Sequence, residues 1–278
     1  MKIKIKNVNL VRKVYIFLAL LMLCCFGCEW RLTPSAEEDS VVVTVERYDR
    51  LQSLYLSTGD YSALQQMNTH FPRQTRTLIE DVLCIGRVND PEINSKFLNF
   101  YQDTTLQMIM NEAERQYASM DDINRQLTSA FERLRKDLPD IEVPQVYAQI
   151  GALDQSIIVA DGLLGISLDK YLGANYQLYQ RESYGYTPAQ RQLMTRAYIV
   201  PDCLGFFLLS LYPMPMDHEL TQQERDMHIG KIQWVVNRVM DEQVFNTLFT
   251  RTVGHYMKQH KEVTVEQLLL NNNYRAIR

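Results

Sequence analysis

The segment PQVYAQIGALDQSIIVADGLLGISLDKYLG, residues 144–173, contains the β-type runs on which the fold depends. Three short runs rich in apolar and β-branched residues lie within it, at 144–150, 156–160 and 163–168. The dipeptide Asp161-Gly162 between the last two runs is typical of a tight hairpin turn. The segment therefore predicts a small meander or hairpin sheet in the middle of the chain.

Helical patterns lie on both sides of this sheet. Helices are predicted at 60–69, 71–88, 90–120 and 123–138, then at 187–200, 202–212, from 222 onward, at 245–261 and at 264–271. Thr187 and Thr221 each begin a capping box, and Pro201 is expected to kink or stop its helix. A further strand is predicted at 41–46. Because no repeat or glycine-rich linker divides 43–278, the sequence predicts one α+β domain that is predominantly helical with a small sheet.

The N-terminus has the features of a bacterial lipoprotein signal peptide over residues 1–27. A basic region precedes thirteen apolar residues, 14–26, which are fewer than the roughly twenty that cross a bilayer. Gly27-Cys28 then resembles a lipobox, which predicts cleavage before Cys28 and a diacylglyceryl anchor on its sulfur. The polar residues 28–42 follow as a flexible tether. An uncleaved N-terminal anchor helix is the alternative.

Charge and location follow from this division of the chain. Five of the 29 basic residues and none of the 33 acidic ones lie in 1–27, so residues 28–278 carry a formal net charge of −9. This acidic balance argues against nucleic acid as a partner, because phosphate neutralisation needs a basic surface. The lipid on Cys28 is then the expected membrane attachment. The protein is expected in the cell envelope, facing the periplasm from the inner or the outer membrane.

Motifs that would identify an enzyme are missing from the sequence. It contains no phosphate-binding loop, no nucleophile elbow and no complete zinc helix, and no cofactor or metal is expected. The carboxylates near the sheet, Asp154, Asp161, Asp169 and Asp202, are interpreted as turn or capping residues, with Asp169 capping the helix after Leu168. The alternative is a metal-dependent hydrolase that uses His218, His228 and nearby acids. Cys84 and Cys203 are expected to be buried free thiols.

Tyrosine is concentrated just after the sheet. Five tyrosines lie within sixteen residues: Tyr171, Tyr176, Tyr179, Tyr184 and Tyr186. A tyrosine ring combines a large apolar face with a polar tip, which suits both protein interfaces and half-buried loops. Two interpretations stay open, a loop packed back on the domain and a recognition surface for a protein partner.

Seven short segments together resemble one family. They are VERYDR (45–50), HFP (70–72), CIGRVND (84–90), LNFYQD (98–103), LGISLDKYLG (164–173), IQWVVNRVMDE (232–242) and VTVEQLLLNNNYR (263–275). In this order, after a lipobox, they resemble the gliding-motility lipoprotein B (GldB-like) family of Bacteroidetes. LGISLDKYLG is the most specific of them.

The resemblance implies an envelope lipoprotein related to gliding motility, with no catalytic residue set. It also implies a degenerate zincin-like architecture, in which the helix matching the zinc helix, about 190–212, has no histidine. The expected function is therefore non-enzymatic, through contacts with an unidentified envelope protein in an export or motility-like assembly. The zincin-related alternative is a peptidase with a dispersed metal site, and a third possibility is a periplasmic binding or chaperone-like module, which a well-formed apolar pocket would favour.

Overall fold

The predicted runs in the middle of the chain form a three-stranded sheet. The computed structural model describes residues 41–216 and 219–277, and its strands are β1 (Gln145–Gln149), β2 (Ile157–Ala160) and β3 (Leu163–Ser167). The predicted hairpin is confirmed: β2 and β3 are antiparallel and joined by Asp161-Gly162, both with positive φ. The predicted meander is wrong, because β3 lies between the other two strands and runs parallel to β1.

A glycine in β3 is required by the side chain opposite it. Gly165 pairs with Tyr147 of β1, and a Cβ built on Gly165 would lie 2.6 Å from Cζ of Tyr147. No real side chain is compatible with this distance unless Tyr147 moves. Gly165 therefore allows the fully buried Tyr147 ring to cross the central strand, all of whose residues are buried.

Helices make up most of the described residues, and the predominantly helical α+β class is confirmed. They are α1 (Tyr48–Thr58), α2 (Tyr61–His70), α3 (Pro72–Arg76), α4 (Ile93–Phe100), α5 (Thr104–Gln116), α6 (Asp121–Asp137), α7 (Pro188–Leu193), α8 (Ile199–Leu211), α9 (Gln222–Met240), α10 (Leu248–Gln259) and α11 (Val265–Leu270). Helix α1 packs against β1, and α8 packs against β2 and β3. Helix α9 contacts α6, α8, α10 and α11.

Local capping signals are confirmed where the sequence predicted them. Thr187 begins α7 and Thr221 begins α9, each with a complete capping box. In both, the threonine hydroxyl accepts from the backbone N–H three residues later, and the side chain of that residue accepts from the threonine N–H. Such reciprocal bonds satisfy N–H groups that a helix start otherwise leaves open.

Three long helices of the sequence prediction are interrupted. The helix predicted over 90–120 is divided because the Asp103 side chain accepts from the N–H groups of Thr105 and Leu106 and begins α5. The helix predicted over 71–88 becomes π-helical at Thr77–Val82 and ends there. The helix predicted over 187–200 ends at Leu193. Pro201 lies in the first turn of α8, where its missing N–H costs no helical hydrogen bond.

The strand predicted at 41–46 is extended but forms only one isolated bridge, between Glu46 and Tyr147. Val41, Val43 and Val45 are buried. However, the N–H groups of Val43 and Val45 donate to the side chains of Thr128 and Asn124 on α6, at 3.0 Å and 2.9 Å. These hydrogen bonds to α6 take the place of the backbone hydrogen bonds that a neighbouring strand would provide.

Other sequence expectations fall partly outside the described residues. The signal peptide, Cys28 and all of the tether except its last two residues lie in residues 1–40, and His218 is also outside. Within 41–216 and 219–277, no helix is both long enough and apolar enough to cross a membrane. Cys203 is a buried free thiol as expected, but Cys84 is exposed, at a positive φ just after the π-helix.

Candidate functional site

The turn after β1 is fixed by a buried carboxylate. Ala152 and Leu153 both have positive φ, which is unfavourable for residues with a side chain. The Asp169 carboxylate accepts from the N–H groups of Gly151, at 2.7 Å, and Leu153, at 2.5 Å. These two bonds hold the turn in its strained conformation, at the edge where the parallel strands β1 and β3 end.

Asp169 is fully buried, and within the described part of the chain it forms no ion pair. Burial raises the pKa of its carboxyl, while the hydrogen bonds from Gly151 and Leu153 oppose that rise. Its predicted role as a cap of the following helix is therefore wrong, because both oxygens are used by the turn. The side chain is a structural acceptor whose two oxygens are already occupied.

A second set of buried bonds holds the end of β1 from the helical side. The Gln52 side chain on α1 accepts from the N–H of Ile150 at 2.9 Å and donates to the Ile150 carbonyl at 2.8 Å. The Tyr101 hydroxyl donates to the same carbonyl at 2.6 Å. The chain around Ile150 is thus attached to two helical segments as well as to Asp169.

Two of the five predicted surface tyrosines are buried, and this corrects the prediction for them. Tyr171 is 2 % exposed, and its hydroxyl donates to the Asp202 carboxylate at 2.8 Å. Tyr179 is fully buried; its hydroxyl donates to the Asp169 carbonyl and accepts from the N–H of Leu172. Both hydroxyls therefore join parts of the fold, and neither ring is presented to a partner.

The other three tyrosines, Tyr176, Tyr184 and Tyr186, are half-buried and form what we call the tyrosine patch. The rings of Tyr184 and Tyr186 are nearly parallel, with centroids 6.3 Å apart. The buried Tyr179 ring lies edge-on to both Tyr176 and Tyr186, at 5.1 Å and 5.9 Å. The patch is thus attached through Tyr179 to the backbone of Asp169.

A cation completes the patch. The Lys170 ammonium donates to the Tyr186 hydroxyl at 2.9 Å and to the carbonyl of Leu153 at 3.2 Å. It also lies 4.9 Å from the centre of the Tyr186 ring. Because Lys170 directly follows Asp169, the segment 164–173 supplies both the buried support of the patch and its charged neighbour.

The remaining carboxylates have separate surroundings. Asp161 lies in the hairpin turn and Asp154 is exposed. Burial raises the pKa of Asp202 to about 6, although the hydrogen bond from Tyr171 opposes the rise. Asp202 is thus joined to the tyrosine segment by the hydrogen bond from Tyr171. Asp169 is joined to it through its backbone carbonyl, which accepts from Tyr179.

The histidine of the hydrolase alternative that can be described is a structural residue. His228 is 1 % exposed, and its ring nitrogens lie 3.1 Å from the Tyr274 hydroxyl and 2.9 Å from the Tyr212 carbonyl. Among residues 41–216 and 219–277, no three His, Cys, Asp or Glu side chains lie close enough together to hold a metal ion.

A buried lysine was missed by the sequence reasoning. Lys231 is fully buried on α9, and its ammonium donates to the carbonyls of Leu269 and Asn271 at 3.0 Å and 2.9 Å. It lies 5.1 Å from the centre of the Tyr274 ring, and burial lowers its pKa to about 8. The lysine anchors the C-terminal segment. Its sequence signal is a basic residue among the apolar positions of α9, one before Ile232.

One comparison with known proteins supports the resemblance, and six of its seven segments lie within the residues matched. No curated protein and no solved structure matches the chain, so the zincin-like architecture receives no support. A family model described as gliding motility protein GldB matches residues 29–252, which is most of the chain. The match includes the sheet, Asp169 and the tyrosine patch. The chain therefore belongs to the gliding motility protein GldB family.

Proposed function

We propose that this protein is a lipid-anchored, non-enzymatic envelope protein that binds another envelope protein through the tyrosine patch. Membership of the GldB family supports an association with gliding motility and with the cell envelope. The partner, the non-enzymatic mode of action and the periplasmic orientation are parts of the proposal. The anchor is the diacylglyceryl group proposed for Cys28.

The observation that carries the proposal is the set of buried hydrogen bonds that fixes the residues beneath the patch. Two buried polar side chains beneath the patch bond to backbone: Asp169 to a strained turn, and Tyr179 to the Asp169 carbonyl and the Leu172 N–H. Such an arrangement fixes the rings of Tyr176, Tyr184 and Tyr186 before any partner arrives. Rigid aromatic side chains lose little conformational entropy on binding, which favours their use in protein interfaces.

Truncating two rings of the patch is expected to weaken partner capture. Full-length protein carrying Tyr176→Ala with Tyr184→Ala should recover at least about fivefold less partner from detergent-solubilised envelopes, because buried aromatic anchors dominate interface energy. Tyr179 is left unchanged, since its loss would disturb the fold. The measurement is quantitative mass spectrometry of the captured proteins.

Tyr61 provides the matched control, because its ring is 73 % exposed on α2, a helix that contains none of the patch residues. Tyr61→Ala should leave partner recovery unchanged. Unchanged recovery with the patch variant, at equal folded protein, would refute the assignment of the surface.

Lipidation has its own test. Cells grown with radioactive palmitate should label the protein, and Cys28→Ala should lose the label because the acylated sulfur is gone. Cys25→Ala is the control and should keep the label. Label retained on the Cys28→Ala protein would exclude Cys28 as the acylated residue, and absence of label on the unchanged protein would favour the uncleaved N-terminal helix.

A further inference from the structure

We propose that a second surface, an acidic cleft lined by none of the tyrosine-patch residues, binds a cationic and partly apolar peptide segment of a partner protein. The cleft has a volume of about 690 Å³. Its walls are the segment 138–144, the β2–β3 hairpin, the C-terminal part of α8 and one residue of α11. We call it the acidic cleft.

Apolar side chains form the floor of the acidic cleft. Ile141 and Val143 are half-buried, Val159 comes from β2, and Phe207 and Leu211 come from α8. Leu211 is 47 % exposed, which leaves apolar surface at the mouth. Clefts of a few hundred cubic ångströms with a mostly apolar lining are typical of ligand sites.

Carboxylates form the rim. Asp140, Glu142, Asp161 and Glu266 all line the cleft and are exposed, and no Lys, Arg or His of the described part of the chain lines it. Within residues 41–216 and 219–277, none of these four carboxylates takes part in an ion pair. Arg73 donates to the backbone carbonyl of Asp161 and not to its carboxylate. Four like charges around one cleft repel each other, and a cationic ligand would relieve that repulsion.

The cleft is held open by fixed backbone. Pro139 and Pro144 restrict the segment that carries two of the acids, and the N–H of Gln145 donates to the Gly162 carbonyl at 2.9 Å. On the opposite side, the buried Lys231 holds the end of α11 and therefore Glu266. A preformed cleft of this kind needs little rearrangement to bind.

An extended peptide fits the position of the cleft in the sheet. β2 is an outer strand, and Val159 and Ala160 at its end line the cleft. A strand edge can pair with the backbone of an added segment, while alternate side chains enter apolar and charged pockets. Lysine or arginine alternating with aliphatic residues is the chemistry that matches this floor and rim.

The test uses full-length lipoprotein in detergent and a fluorescein-labelled nine-residue peptide that alternates lysine with valine and leucine. Fluorescence anisotropy at low salt should show saturable binding. Asp140→Asn with Glu142→Gln should weaken it about tenfold, and added salt should weaken it too, because exposed charges are screened. The control removes the same charge elsewhere, with Glu92→Gln and Glu132→Gln on exposed positions of other segments, and should stay within twofold.

Four results would overturn the proposal. They are absence of saturable binding, equal weakening by the control pair, equally tight binding of a peptide with glutamine in place of lysine, and a protein dimer that Asp140→Asn with Glu142→Gln dissociates. The variant Tyr176→Ala with Tyr184→Ala should bind the peptide normally. The proposal for the acidic cleft and the proposal for the tyrosine patch can thus be refuted independently.

Discussion

Replacing Asp169 by alanine is expected to lower the free energy of unfolding by about 2 to 6 kcal/mol, the range for leaving two buried donors unsatisfied. The alanine would leave the N–H groups of Gly151 and Leu153 buried without an acceptor. Each such loss costs on the order of 1 to 3 kcal/mol. The strained turn would also lose the contacts that hold Ala152 and Leu153 at positive φ.

Urea unfolding followed by circular dichroism measures this loss. Asp154→Ala is the matched control, since Asp154 belongs to the same loop but is exposed, and it should change stability by less than about 0.5 kcal/mol. A loss below about 1 kcal/mol for Asp169→Ala would contradict the role assigned to its carboxylate.

Raising the pH above 10 is expected to unfold the protein steeply. Burial raises the pKa of nine tyrosines above the ordinary value near 10, and the rise is largest in six of them: Tyr48, Tyr101, Tyr117, Tyr147, Tyr171 and Tyr179. The folded state keeps these protons while the unfolded state releases them, so stability falls as pH rises through this range. Each such tyrosine lowers the free energy of unfolding by about 1.4 kcal/mol per pH unit, and six together lower it by on the order of 8 kcal/mol per pH unit.

Lys231 has the opposite and smaller effect on the free energy of unfolding as the pH rises. Its pKa is lowered to about 8 in the folded state, so its contribution to stability rises between pH 8 and the unfolded value near 10.5. This gain of about 3 kcal/mol is complete near pH 10.5. Above that pH it does not offset the loss of stability that the tyrosines cause.

The measurement is circular dichroism against pH, with tyrosinate absorbance recorded on the same samples. Tyr48→Phe is an informative variant because the Tyr48 hydroxyl is buried without a partner in the described structure. It should reduce the alkaline slope by about 1.4 kcal/mol per pH unit. Titration of all sixteen tyrosines near pH 10 without loss of helical signal would contradict the burial of these rings.

Local signals in the sequence predicted local structure well. The boxes at Thr187 and Thr221 and the Asp161-Gly162 turn depend on residues at most three apart, and all three are confirmed. The parallel pairing of β1 with β3 depends on residues eighteen apart, such as Tyr147 and Gly165, and no local pattern encodes it.

The candidate site was predicted only in part for the same reason. Composition identified the tyrosine-rich segment, but burial of Tyr171 and Tyr179 depends on partners such as Asp202 and the Asp169 carbonyl. The sequence predicted Asp169 as a helix cap because it directly follows a β-type run. In the structure its carboxylate oxygens instead accept from a turn sixteen to eighteen residues earlier. Such contacts are set by tertiary packing.

The central claim, that the tyrosine patch contacts a protein partner, is tested most directly by photo-crosslinking in living cells. A photoreactive phenylalanine analogue replaces Tyr184 in the full-length lipoprotein, and the same analogue replaces Tyr61 in the control. After irradiation, the account predicts a discrete crosslinked adduct with one envelope protein from position 184 and none from position 61. No adduct from position 184, or the same adduct from both positions, would contradict it.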